Sequence, residues 1–260
     1  MADTGGTGVA SGGSASWGGY PSLARNVLRF VIHRLSYYFI YSKHRTRVAR
    51  AAGFRLTVRP TVFHPSWFIT SEYFAEFIGK MDLSGKRVVE VGTGSGILAL
   101  AAARAGAVSV LAVDINPNAA LSASENAQAN GLGDRVRGLC SNLLSAVAPK
   151  PLFDVVISSP PSFAGEPLDL ADRAWHAGPG YRDILDLFAQ ARERLAPGGR
   201  IYVLLSSDSD LGLMERLARQ AGLKSTLIDQ RSILIEALLI YELQMDESAS
   251  VAPAPAAAQA

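Results

Sequence analysis

The chain contains a single cysteine, Cys140, among 260 residues. That excludes an intrachain disulfide and the common multi-cysteine zinc sites, and a reducing compartment fits. Charged residues make up only 18% and the net charge is +2, so the chain as a whole carries no strong nucleic-acid signal. No long apolar run is present. The most apolar early stretch, Phe30 to Tyr41, contains His33 and Arg34 and falls short of the ~20 residues a membrane span needs. Met1 to Gly19 is rich in Gly, Ser and Ala and lacks the cationic start and apolar core of a secretory signal. The expectation is a soluble or peripheral protein of the cytoplasm. No internal repeat is visible. What is abundant is apolar material, 48% of residues, enough to bury a core without metal or disulfide.

Charge is unevenly placed. Nine of the 25 Lys/Arg but only one of the 23 Asp/Glu lie in residues 1–60. A basic front on an acidic body points to a local anionic contact. The nine bases span residues 25–59, where Leu28, Ile32, Leu35 and Phe39 recur at helical spacing. Two uses are open for such a helix: a lid over the catalytic domain with its arginines toward solvent or an anionic substrate, or a peripheral membrane contact. The oligomeric state is not encoded in any pattern found.

Residues 1–20 and 246–260 are too poor in large apolar side chains to bury much and are expected to be disordered. Residues 21–81 read as a helical extension, with one helix over 22–52 stopped by Gly53 and another over Ser71–Met81. Between them Pro60 and Pro65 impose an extended link. From residue 82 to 245 strands and helices alternate. Strands are expected at Arg87–Val91, Val108–Asp114, Val136–Cys140, Phe153–Ser158, Arg200–Ser206, Lys224–Asp229 and Ile233–Leu243. Helices are expected at Ile97–Ala105, Pro117–Asn130, Arg182–Leu195 and Leu211–Ala221, with a long Pro/Gly-rich loop over 160–180. The predicted class is α/β: a Rossmann-like, seven-stranded, mostly parallel sheet with a C-terminal antiparallel hairpin turning at Gln230–Ser232.

Three places carry chemistry. Val88 to Ile97 runs from a buried strand through Gly92, Thr93, Gly94 and Gly96 into a helix, so the backbone can come close to a ligand. The third residue after Gly94 is Ile97, where a dinucleotide fingerprint wants glycine. A ligand without pyrophosphate fits better, which argues against a dehydrogenase. Asp114, 22 positions beyond Gly92, ends the second strand and can accept both hydroxyls of a ribose. Its simpler role is a cap ahead of Pro117. Ser158-Ser159-Pro160-Pro161-Ser162-Phe163 leaves the fourth strand with two backbone donors removed, which aims nearby carbonyls outward. Open α/β sheets bind ligands beyond the carboxyl ends of their strands, where all three places lie.

These residues resemble the class I S-adenosylmethionine methyltransferases, in particular the branch of HemK-type glutamine methyltransferases and "methyltransferase small" proteins. The likeness covers roughly residues 60–243. Val113 to Ala119, Glu125-Asn126-Ala127 and Asn130-Gly131 are similar to that branch in detail. Val62-Phe63-His64-Pro65 resembles its cofactor-covering segment, and Ala174-Trp175-His176 through Tyr181-Arg182 its substrate-side loop.

The resemblance implies S-adenosylmethionine as cofactor and S-adenosylhomocysteine as product. It implies a cofactor site of Glu90, Gly92, Thr93, Gly94, Gly96, Asp114, Ile115, Asn116, Asn142 and Ser158. It places Ser159, His176 and Tyr181 at the catalytic centre and His64, Pro160, Phe163 and Trp175 against the acceptor, with no metal. Two departures stand out. The branch carries Asn-Pro-Pro-Tyr where this chain has Ser159-Pro160-Pro161-Ser162, and an acid where it has Asn142. Serine lacks the amide that pairs with a planar nitrogen. The reading is therefore methyl transfer to N or O of a small-molecule acceptor, with a protein (glutamine) or RNA methyltransferase as alternative and a non-catalytic cofactor-binding module as the second.

Overall fold

The structure, a computed structural model, describes residues 45–65, 69–233 and 236–246. Strands β1 (Arg47–Ala51) and β2 (Phe54–Val58) form a two-stranded antiparallel hairpin. Helix α1 (Ile69–Ile78) follows. The remaining chain runs β3 (Arg87–Val91), α2 (Ile97–Arg104), β4 (Ser109–Asp114), α3 (Pro117–Ala129), β5 (Val136–Cys140), β6 (Phe153–Ser158), α4 (Arg182–Arg194), β7 (Leu195–Ser206), α5 (Leu211–Gln220), β8 (Leu223–Ser232) and β9 (Ala237–Met245). The seven strands lie in the order β5-β4-β3-β6-β7-β9-β8. The first five are parallel, and β9 pairs antiparallel with both β7 and β8.

Alternation along the strands divides the core in two. Val88, Val155, Ile157, Tyr202 and Leu204 face α1, α2 and α3. Val89, Val156, Ile201, Val203 and Leu205 face α4 and α5. Strands covered on both sides read as unbroken apolar runs, which is why Phe153–Ser158 and Arg87–Val91 were visible to the residue. Helix α2, with its run of alanines, is buried except for Arg104 and can sit close to the sheet.

Three expectations change. The last part of the helix expected over 22–52 is instead β1, while Leu28, Ile32, Leu35 and Phe39 lie outside the described residues. Burial alternates along β1 and β2, so Ala49, Ala51, Phe54, Leu56 and Val58 turn inward while Arg50 and Arg55 turn out. Ala52 and Gly53 both take positive φ (47° and 77°), the turn that suits the twist of a tight hairpin. The helical stripe of Leu28, Ile32, Leu35 and Phe39 does not extend into these residues, where the apolar period is two and Gly53 is a hairpin turn. Second, Gln230–Ser232 is strand rather than turn, and the chain reverses over residues 233–236. Third, Pro197-Gly198-Gly199 lies within β7, because Leu195 already pairs with Phe153 and a register shift absorbs the extra residues before Arg200 meets Val155. Among the described residues no helix is long and apolar enough to cross a membrane.

Helix α3 presses on β5 at Gly138, where an added Cβ would lie 2.0 Å from the Ala120 carbonyl oxygen and 2.6 Å from Ser124 Oγ. Backbone oxygen cannot step aside as a flexible side chain can. Gly138→Ala is expected to lower unfolding free energy by about 1–3 kcal/mol, the usual range for overpacking, as read by urea denaturation. A midpoint unchanged from wild type would show that the helix has slack here.

Candidate functional site

A cavity of about 480 Å³ opens at the carboxyl ends of the parallel strands, where β3, β4, β6 and β7 deliver Val91, Asp114, Ser158 and Leu204. The glycine loop forms its floor. Gly92, Gly94 and Gly96 all take positive φ (80°, 53° and 83°), which glycine alone tolerates freely. A Cβ added at Gly92 or Gly94 would meet nothing within 4 Å. Both residues line the cavity, so the missing side chains leave room for a ligand. Gly96 differs: its Cβ would lie 2.8 Å from Ala123 Cα, so it is a packing glycine between the loop and α3 and does not line the cavity.

Two carboxylates shape the loop. Glu90 is 1% exposed, and its Oε2 accepts from Thr93 Oγ1 at 2.6 Å and from the Ala99 amide at 2.9 Å. It thus ties the loop to the first turn of α2. Asp114 accepts from the Gly94 amide at Oδ2 and from the Asn116 amide at Oδ1, each at 2.9 Å. With the Ile115 amide also close by, the carboxylate still keeps acceptor capacity for a hydroxyl donor. The cap of α3 is Asn116, whose side chain accepts from the Asn118 amide, so Asp114 is not needed for that role. Ser158 Oγ donates to the Val91 carbonyl at 2.8 Å and holds β6 to β3 beside the loop. Ile115, Asn116 and Asn142 also line the cavity, with Asn142 at the exposed rim.

The far end is aromatic and acidic. Ser159, Pro160, Phe163 and Trp175 line it as expected. The Trp175 ring meets Phe63 edge-on, with centroids 5.5 Å apart, which joins the β6–α4 loop to the segment after β2. Residues not anticipated are Thr61, Arg173, Asp183, Asp208 and Glu236, all on the cavity wall. Asp208 follows β7, and the strand-end rule could have found it. Glu236 comes from the β8–β9 reversal and contacts Ser206 Oγ, a pairing no local pattern announces.

Besides Gly96, three predicted site residues do not line the cavity. His176 stacks loosely on Phe163, with centroids 6.1 Å apart, and its Nδ1 stands 3.0 Å from the buried Asp172 carboxylate, an arrangement that pins the loop. Tyr181 is buried and donates from its hydroxyl to the Ser162 carbonyl at 2.9 Å, bracing the exit from β6. His64 is buried behind Phe63, and burial, with Arg47 nearby, lowers its pKa. In this structure the expected catalytic residues His176 and Tyr181 and the expected acceptor residue His64 thus stand beside the cavity, with His176 and Tyr181 in contact with the loops that build it.

A sequence model of the ribosomal protein L11 methyltransferase family (PrmA) matches residues 69–159. A putative protein N5-glutamine methyltransferase from Methanocaldococcus jannaschii is 31% identical over 160 residues, which cover 60% of this chain and 77% of that protein. The ribosomal protein L11 methyltransferase of Deinococcus radiodurans is 44% identical over 88 residues, 34% of this chain. The match spans only 32% of that relative's length. Among solved structures, a T. thermophilus 16S rRNA methyltransferase in complex with AdoMet and guanosine superposes with a TM-score of 0.56 at 23% identity, covering 76% of this chain and 50% of that one. That likeness speaks to the fold. The sequence relatives correct the expectation of a small-molecule acceptor, because the proteins they name act on ribosomal protein and protein glutamine.

Burial pushes the Glu90 carboxyl up to about 8; the Thr93 and Ala99 hydrogen bonds oppose the rise and the Asp114 carboxylate adds to it. Burial also raises Asp114, against the amides of Asn116, Gly94 and Ile115. The folded chain therefore holds the Glu90 proton more tightly than the unfolded chain does. Its contribution to stability is full below the ordinary glutamate value of 4.5 and is lost as pH climbs to about 8. Glu90→Gln should flatten that decline in urea unfolding measured across the pH series. A slope equal to wild type would assign the decline to other groups.

Proposed function

We propose, from the premise that this chain belongs to the S-adenosylmethionine-dependent methyltransferase family, that it transfers a methyl group to a nitrogen of a protein side chain. The residues present fit the cofactor. Gly92 and Gly94 leave the floor open, Asp114 offers two oxygens to a ribose, and Asn142 stands at the rim where an adenine edge would lie. Bound there, S-adenosylmethionine supplies a methyl group already activated by its sulfonium.

The observation that carries the acceptor class is the charge of the cavity wall. Burial holds Glu90 protonated near neutrality, and among the described residues four further carboxyl residues line it (Asp114, Asp183, Asp208 and Glu236) against a single base, Arg173. Arg173 is itself engaged, 3.4 Å from Asp183. A phosphate backbone gains its affinity from Lys and Arg, which the described residues of this wall offer only in Arg173. A side-chain nitrogen bearing N–H groups finds acceptors here, in the carboxylates and in the carbonyls that Pro160 and Pro161 leave without neighbouring amides. The relatives named for protein substrates support the same choice.

The chain's own contribution is placement. Phe163 and Trp175 wall the acceptor end, and the Phe63–Trp175 contact keeps water from one side. Holding a nucleophile in line with a bound methyl accounts for much of such an acceleration. A carboxylate at Asp208 or Glu236 stands where it can take the proton that the attacking nitrogen releases.

Incubation with methyl-tritiated S-adenosylmethionine and a ribosome preparation, split afterwards into protein and RNA, tests the reading. Label should enter the protein fraction, and label confined to RNA would overturn it. Asp114→Ala should weaken cofactor binding about 10- to 100-fold in calorimetry, the scale of one or two lost charge-assisted hydrogen bonds. Phe163→Ala should instead reduce turnover by about tenfold through misplacement while cofactor affinity holds. Equal loss of both in the Phe163 variant would count against the division of the cavity into two ends.

A further inference from the structure

Strand β2 has β1 on one edge and, among the described residues, no strand on the other. Its second edge is paired with side chains of α3. The Arg55 amide donates to Asn130 Oδ1 at 3.2 Å, and Asn130 Nδ2 returns a bond to the Arg55 carbonyl at 2.9 Å. The Thr57 amide donates to Asn126 Oδ1 at 2.6 Å, and Asn126 Nδ2 returns one to the Thr57 carbonyl at 2.9 Å. The Arg59 amide reaches Ser122 Oγ at 3.4 Å, and Asn118 Nδ2 donates to the Pro60 carbonyl at 3.2 Å. Asn116 closes the series by donating to the Thr61 carbonyl and hydroxyl, each at 3.0 Å.

The spacing explains why a helix can stand in for a strand. Asn118, Ser122, Asn126 and Asn130 are four residues apart on α3 and its cap. Four helical residues rise about 6 Å. Two strand residues advance about 6.6 Å, so every second residue of β2 meets every fourth of α3. An amide side chain carries both a donor and an acceptor, as a peptide group does. The register is thereby fixed: a slip of one residue would leave both groups of Arg55 and Thr57 unmatched.

One rung does more. Asn126 is fully buried, and its Nδ2 also donates to the Ser95 carbonyl, in the glycine loop, at 2.8 Å. A single side chain thus holds the loop that floors the cavity and the strand that leads to Thr61, Val62 and Phe63 on its wall.

From this we infer that Asn126 is a positioning residue for the cofactor, and that the α3 ladder couples the hairpin to occupancy of the glycine loop. The inference rests on the cofactor reading above. Asn126 itself does not line the cavity and touches no ligand. When the loop settles around a ligand, the Ser95 carbonyl is fixed, Asn126 is fixed with it, and the Thr57 rung tightens. Linkage makes the effect reciprocal: the factor by which the ligand stabilises the hairpin is the factor by which a loosened hairpin weakens the ligand.

Amide hydrogen exchange on the wild-type chain, with and without S-adenosylhomocysteine, tests the coupling. The Thr57 amide should exchange more slowly in the presence of ligand, by roughly 5- to 150-fold, the ordinary range of such couplings. Asn126→Ala should weaken ligand affinity in calorimetry by a similar factor and abolish the added protection. Asn130→Ala, which loses the Arg55 rung but no bond to the loop, should speed exchange at Arg55 and weaken the ligand less than Asn126→Ala does. If the wild-type chain binds the ligand and the Thr57 amide does not respond, the coupling is overturned whether or not the Asn126 variant folds. If Asn126→Ala binds as tightly as wild type, Asn126 is only a packing residue. A wild-type chain that binds no ligand at all overturns the cofactor reading as well, and calorimetry separates that outcome from the others.

Discussion

Glu90 stands one residue before the end of the central strand β3, buried among apolar side chains, and a carboxyl group in that place must be satisfied from within. It is satisfied by the Thr93 hydroxyl and the Ala99 amide, which belong to the turn that follows and to the helix after it. The shape of the loop is therefore the shape that meets this group. Once Gly92 to Gly96 are drawn back over the strand end, Gly94 presents its amide to Asp114 on the neighbouring strand, and the two carboxyls come to share one floor. Their proximity adds to the burial that keeps Glu90 protonated near neutrality. A protonated Glu90 also removes a negative charge from the floor of the cavity, beside Asp114.

That floor was legible because it is local. Residues 90–116 lie in one continuous β3–α2–β4 stretch, and each functional group there sits at the end of a strand whose apolar run is unmistakable. The sheet was legible for a similar reason. Strand β6 falls on the expected residues because a bounded apolar run leaves little choice, while β8 runs past its expected end because its residues are mostly exposed and carry no apolar period.

The hairpin was not legible, and the cause is physical. Its strands show arginines on the outer face at positions that also suit a helix, and Ala52 carries none of the usual signs of a left-handed turn. What makes the hairpin stable lies 75 residues away in sequence, where Asn130 pairs with Arg55. The asparagines of α3 were noted for their likeness to a family pattern, but a helix-to-strand ladder is a relation between two elements and neither segment encodes it alone. The same holds for His176 and Tyr181. Their neighbours in sequence reach the cavity, yet Asp172 and the Ser162 carbonyl draw these two side chains into the scaffold.

The acceptor end follows from what the floor leaves free. Its charged groups come from the β6–α4 loop (Arg173), the first turn of α4 (Asp183), the residues after β7 (Asp208) and the β8–β9 reversal (Glu236). None of these segments is constrained by the hydrogen bonds that fix Glu90 and Asp114. Loops mounted on a rigid sheet can change without disturbing the floor beneath them. A family that keeps one methyl donor and varies its acceptor is served by that arrangement, and the serine at position 159 is a change on the variable side. Its shorter side chain gives up amide pairing, while the carboxylates opposite supply acceptors of another kind. The acceptor end is thus built from several separate segments, which is why a single motif at the end of β6 could not by itself indicate the size of the substrate.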